Sequence, residues 1–115
     1  MIPVPIDLNL ETFGPISLEE FRQTISPKTK AVVFAYIFGI MYDIEDYIDI
    51  CEEKGIDIIE DSAENFNGLR GFRGNKRATM TMFSFGLIKT CTTINGGVSI
   101  IRSKGNELFK KMRDL

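Results

Sequence analysis

A chain of 115 residues with 43% hydrophobic and 26% charged residues has the balance of an ordinary globular domain with a core of modest size. Its formal net charge of -2 gives no reason to expect nucleic acid or an acidic membrane as a partner, and the lack of any histidine excludes Ser-His and Cys-His catalysis. Cys51 and Cys91 lie far apart with no Cys-x-x-Cys spacing, so neither a disulfide framework nor a zinc site is suggested. The segment Met1-Ile2-Pro3-Val4-Pro5 has no basic stretch before an apolar core and does not resemble a secretory signal. The longest apolar stretch, Ala31 to Tyr42, falls well short of the roughly 20 residues a membrane helix needs, which leaves a soluble cytoplasmic chain as the expectation.

Val4 to Leu10 alternates apolar residues and reads as a short strand, placed at an edge because Pro3 and Pro5 cannot donate to a ladder. Ser17-Leu18-Glu19-Glu20 has the form of a capping box and predicts a helix, with Leu18, Phe21 and Ile25 on one face and Pro27 as its stop. Ala31 to Phe38 is a continuous apolar run closed by Gly39, the pattern of a strand covered on both faces. Asp43 can cap a second helix that turns Ile44, Tyr47, Ile48 and Cys51 inward and Glu45, Asp49, Glu52 and Glu53 outward, with Gly55 ending it. Ile56 to Asp61 then completes a β-α-β unit, which implies parallel strands.

The stretch Asn65 to Arg77 carries Gly68, Gly71 and Gly74 among Arg70, Arg73, Lys76 and Arg77. It reads either as a loop that grips phosphate or as a hairpin or surface loop whose glycines take positive φ; no helix start follows the glycines, which favours the second. Thr79 to Phe85 and Gly96 to Ile101 are predicted strands, and Asn106 to Leu115 a helix with Leu108 and Met112 inward.

Open α/β sheets bind ligands beyond the carboxyl ends of their strands, and Asp61 and Ser84 both stand at such ends. With Lys89 one short loop further on, these are the parts needed to hold pyridoxal phosphate: an acid for the ring nitrogen, a hydroxyl for the phosphate and an amine to condense with the aldehyde. Each residue also has a plainer reading. Asp61 suits a helix N-cap before Ser62 to Phe66, Ser84 a turn, and Lys89 a solvated surface position.

The segments Thr29-Lys30-Ala31-Val32-Val33, Phe38-Gly39 followed by Asp43, Glu60-Asp61-Ser62-Ala63-Glu64, Gly71-Phe72-Arg73-Gly74, Phe83-Ser84-Phe85 with Lys89, and Gly96-Gly97 follow one another over nearly the whole chain. In order and spacing the sequence resembles the DegT/DnrJ/StrS-type sugar aminotransferases, pyridoxal-phosphate enzymes of the aspartate-aminotransferase fold. The resemblance implies an α/β fold, the central part of the mixed, mostly parallel sheet of the large domain of a fold type I transferase with helices packed on the sheet. Family members are several-fold longer, so residues 1–115 are expected to be a partial large, cofactor-binding domain without the N-terminal part and the C-terminal small domain.

Matched by motif, Lys89 is the catalytic lysine, and Asp61, Ser84, Glu64 and Lys89 are cofactor-binding. Glu64 falls where the family more often has glutamine or histidine near the cofactor 3'-oxygen, and an ionised carboxylate there would repel a phenolate unless one of them holds a proton. Ile94-Asn95 replaces the acidic residue that commonly precedes the paired glycines. A lysine rather than a histidine at position 89 argues against the branch that dehydrates sugars. The implied reaction moves an amino group from an amino-acid donor to a keto sugar or sugar nucleotide by a ping-pong mechanism, in a homodimer with a shared site.

Two other readings stand beside it. A truncated paralogue could keep this segment only as an inactive interaction module. A phospho-receiver domain would suit the length, but it needs an acidic pair after the first strand to hold magnesium, and only Asp7 stands there.

Overall fold

The computed structural model describes residues 2–68, 70–102, 110, 111, 113 and 114. The expected helix from Asn106 to Leu115, with Leu108 and Met112 inward, lies for the most part outside the described residues.

Strands β1 (Leu8–Asn9) and β2 (Gly14–Pro15) form a minimal antiparallel pair. The longer strand expected over Val4 to Leu10 does not form: Pro3 and Pro5 have no N–H to give a ladder, and only Leu8 and Asn9 find partners. Helix α1 (Leu18–Thr24) starts as the sequence predicts, with Glu20 N–H donating to Ser17 Oγ and Ser17 N–H donating back to Glu20 Oε2. It ends before Ile25, which is already extended two residues ahead of Pro27, and Phe21 is buried from its inner face.

Strand β3 (Ala31–Ala35) stops earlier than the apolar run suggests, because Tyr36 leaves the ladder and Ile37–Gly39 make one turn of 3-10 helix. Helix α2 (Glu45–Glu53) follows. Asp43 Oδ1 accepts from Glu45 N–H just ahead of the first turn, although Ile44 occupies the capping position itself. Ile44, Ile48, Ile50 and Cys51 face the core, and burial pushes the Cys51 thiol up to about 11. Gly55 ends α2 in the left-handed region (φ +65) while Ile56 N–H reaches back to Cys51 O, a Schellman-type stop.

The main sheet runs in the order β3-β4-β5-β6, with β4 (Asp57–Asp61) parallel to β3, β5 (Met80–Ser84) parallel to β4, and β6 (Gly97–Ile101) antiparallel to β5. β6 can approach β5 so closely because residue 97 is glycine: a Cβ there would lie 2.6 Å from Phe83 O.

The register sorts the strand residues onto two faces, since cross-strand partners point the same way. Phe34, Glu60, Thr81 and Ile100 form one row, on the face where Phe34 and Ile58 join the core with Phe21, Ile44 and Ile48 of the helical layer. Val33, Ile59, Met80 and Ile101 form a row on the other face, followed by Ala35, Asp61, Met82 and Ser99. Val33 is 57% exposed. The expectation that β3 is covered on both faces is therefore corrected: among the described residues α1 and α2 pack on one face, and on the other Val33 is exposed while Ile59, Met80 and Ile101 are only partly buried.

A carboxylate sits in the covered row. Glu60 is fully buried, and it accepts from Tyr36 Oη at 2.8 Å, Asn75 N–H at 2.8 Å and Thr81 Oγ1 at 2.7 Å. Arg102 in turn donates to Thr81 Oγ1 and to the Arg73 carbonyl. Gly74 (φ +86) fits the cradle because it lacks a side chain: a Cβ there would lie 1.9 Å from Thr81 Oγ1. Glu60 thus ties the end of β3 and the loop before β5 to the middle of the sheet. Glu60→Ala would strand two buried donors and a part-buried one and is expected to lower stability by about 3–5 kcal/mol, read as a lower urea midpoint at unchanged slope.

Candidate active site

Asp61 closes β4, and its position on the open face follows from strand alternation: Ile58 and Glu60 point to the helices, so Ile59 and Asp61 point away. Tyr36 N–H donates to the Asp61 carbonyl at 3.0 Å, which fixes the strand end. The Asp61 carboxylate accepts from Ala63 N–H at 3.1 Å and caps a turn, not a helix. The helix N-cap reading of Asp61 is thereby removed.

After β5, the chain turns at Gly86 to Lys89, held by Lys89 N–H donating to Gly86 O at 3.0 Å. This turn sends the Lys89 side chain back over the sheet end. It is mostly shielded from solvent: its side chain is 18% exposed, and its Nζ lies 3.5 Å from Glu64 Oε1. Asp61, Glu64 and Lys89 line one cleft of about 250 Å³ together with Ala35, Tyr36, Ile37, Phe38 and Ala63. Burial, and after it the hydrogen bond to Glu60, push the Tyr36 hydroxyl well above its ordinary range, so it stays a neutral donor to the buried carboxylate. Phe38 and Gly39 both take left-handed backbone (φ 55 and 76), which turns the chain sharply at the cleft mouth.

Ser84 shares the face of Asp61, one step beyond Met82 in the register, but it is not among the residues that line the cleft. The basic loop keeps to the surface-loop reading: Gly68 and Gly74 have positive φ, Gly71 does not, and Arg77 turns away to pair with Glu45, Asp49 and Glu52 of α2. Asp7 lies in the exposed segment before β1 and is not among the residues that line the cleft. Sequence reasoning missed Glu60 and Arg77. Parity with the buried Ile58 was the available signal for Glu60; nothing local marked Arg77, whose partners are on a helix far back in the chain.

A mixed, mostly parallel sheet with a lysine and two carboxylates in a cleft beyond its carboxyl ends is the large-domain architecture of pyridoxal-phosphate transferases of fold type I. The family model of the DegT/DnrJ/EryC1/StrS aminotransferases matches residues 1–115, and the chain belongs to that family. It is 33% identical over 103 residues to a GDP-perosamine synthase of Vibrio cholerae, covering 89% of this chain and 28% of that protein. It is 31% identical over 97 residues to a dTDP-4-dehydro-2,3,6-trideoxy-D-glucose 4-aminotransferase of Saccharopolyspora spinosa, covering 84% of this chain and 25% of that protein. Among solved structures, the PLP-form of Spr1654 from Streptococcus pneumoniae superposes with a TM-score of 0.81 at 25% identity, over 99% of this chain and 34% of the other. The chain thus spans between a quarter and about a third of the length of these relatives. The cofactor of the family is pyridoxal phosphate, and Spr1654 has been solved in PLP and PMP forms. Among the described residues, no helix is long and apolar enough to cross a membrane.

Proposed function

We propose that this chain is the cofactor-holding segment of a sugar aminotransferase that takes an amino group from an amino-acid donor and delivers it to a keto sugar, nucleotide-linked, in a homodimer. The observation that carries the reading is the convergence of Lys89, Asp61 and Glu64 in one partly desolvated cleft. Its residues fit the group on chemical grounds: one amine, one carboxylate fixed at a strand end, and apolar walls from Ala35, Ile37 and Ala63. Pyridoxal phosphate supplies an aldehyde and an electron-withdrawing ring, which together make an amino group transferable.

Lys89 would supply the amine that holds the cofactor through its aldehyde, and from the same position it would be the group that moves a proton between carbon centres. Asp61 supplies a fixed negative charge for the ring nitrogen, and the turn hydrogen bond from Ala63 keeps that carboxylate at the strand end. Ser84 offers its hydroxyl to phosphate from the same sheet face. Asp61→Asn is expected to retain cofactor binding and to slow transamination on the order of 100-fold or more, since a neutral amide cannot hold the ring nitrogen protonated. Single-turnover rates with a saturating amino donor measure this, and an unaltered rate would remove Asp61 from the role.

A further inference from the structure

Glu64 is one of two positions at which this chain departs from the pattern of its family, and the structure gives it a partner that family motifs do not suggest. Its carboxylate lies 3.5 Å from the Lys89 ammonium, inside the cleft where Asp61 also stands. The two carboxylates are not equivalent. Asp61 Oδ1 is engaged by the Ala63 N–H at the strand end, whereas Glu64 has Lys89 as its ion-pair partner among the described residues. The pair is partly shielded, with the Lys89 side chain 18% and the Glu64 side chain 38% exposed, so its loss would leave a carboxylate only partly hydrated.

Resting on the reading of Lys89 as the cofactor lysine, that loss is built into the reaction. Once the Lys89 nitrogen is committed to the cofactor carbonyl carbon, it no longer presents a primary ammonium to Glu64. The amino donor arrives bearing that same chemical group. We propose that Glu64 is the docking carboxylate for the primary ammonium of the incoming amino donor, occupying with substrate the ion-pair position that Lys89 fills in its absence.

The proton balance closes without a further reagent. The donor ammonium passes one proton to the Glu64 carboxylate and becomes a free amine. This amine takes the place of Lys89 at the carbonyl carbon, and Lys89 leaves as a free amine. Lys89 first serves as the free amine that moves the proton between carbon centres, and only after that transfer does it take the proton held by Glu64, which restores the ammonium–carboxylate pair seen here. A glutamine or histidine at position 64 would lack the negative charge this exchange uses.

The test separates the ammonium site from the cofactor. In the cofactor-free Lys89→Ala variant of the intact protein, Glu64 faces vacated space, and millimolar methylammonium should bind there and raise the melting temperature. Tetramethylammonium, with the same charge and no N–H to donate, should not. Glu64→Gln in the same background should abolish the methylammonium effect. In the cofactor-loaded protein, Glu64→Gln alone should keep the visible absorbance of bound cofactor and raise KM for the amino donor about tenfold, the equivalent of one ion-paired hydrogen bond. Equal methylammonium stabilisation with and without Glu64, or an unchanged donor KM, would overturn the proposal. Failure of the underlying reading would look different: wild-type protein would carry its reducible cofactor linkage on a lysine other than Lys89.

Discussion

Replacing Lys89 with alanine in the intact protein is expected to abolish both the visible absorbance of bound cofactor and transamination. Among the described residues, Lys89 is the lysine whose side chain enters the cleft with Asp61, and the turn from Gly86 to Lys89 holds it there. Covalent capture of the aldehyde needs an amine at that point, and a nearby lysine cannot substitute without moving the backbone. Lys76, the other lysine of the neighbouring segment, is exposed in the surface loop before β5. Borohydride reduction of the wild-type protein followed by peptide mapping should place the label on Lys89. A label on Lys76, or residual turnover in Lys89→Ala above about one part in a thousand, would refute the assignment.

The residues that proved legible in the sequence are those whose role is decided locally. Ser17 and Glu20 announce the start of α1 because a capping box is a contact between residues three apart, and Gly55 announces the end of α2 because left-handed backbone selects glycine. The shared location of Asp61 and Lys89 in one cleft was legible because the region beyond the carboxyl ends of parallel strands can be placed once the strands are placed. Ile48 and Cys51 were legible from helical spacing, and the spacing rule also explains why Ile50 was not: it stands off the predicted stripe yet is buried in the core cluster.

What escaped the sequence depends on contacts across it. Glu60 looks like a polar interruption in an apolar strand until Tyr36, Asn75 and Thr81 are brought around it by three different segments. Arg77 looks like one basic residue among several in a loop until Glu45, Asp49 and Glu52 converge on it from α2. The Glu64–Lys89 pair spans the loop between β4 and β5 and all of β5, so no spacing rule would have joined them. Val33 was misjudged for the opposite reason. Its neighbours Val32 and Phe34 are buried, and a continuous apolar run cannot say whether both faces of a strand are covered within one chain or only within a larger body.

That open face gives the second large expected effect: residues 1–115 produced alone should self-associate and should not hold cofactor stably. The row Val33, Ile59, Met80 and Ile101 runs across all four strands on the face opposite the helices, and Val33 at its end is more than half exposed. An apolar row of this kind in water favours contact with any second copy that can cover it. Strands β3 and β6 terminate the sheet among the described residues, so their outer edges carry backbone groups able to pair with another chain. The cleft adds to the effect. It brings together the amine and the carboxylates, but Ser84, the one phosphate ligand proposed from this chain, stands outside its lining. Gel filtration across a tenfold concentration range should therefore show mass rising with concentration, and titration with pyridoxal phosphate should give no saturable visible absorbance after desalting. A monodisperse, yellow protein of 115 residues that transaminates would show that the exposed row is tolerated and that this segment suffices for the site on its own.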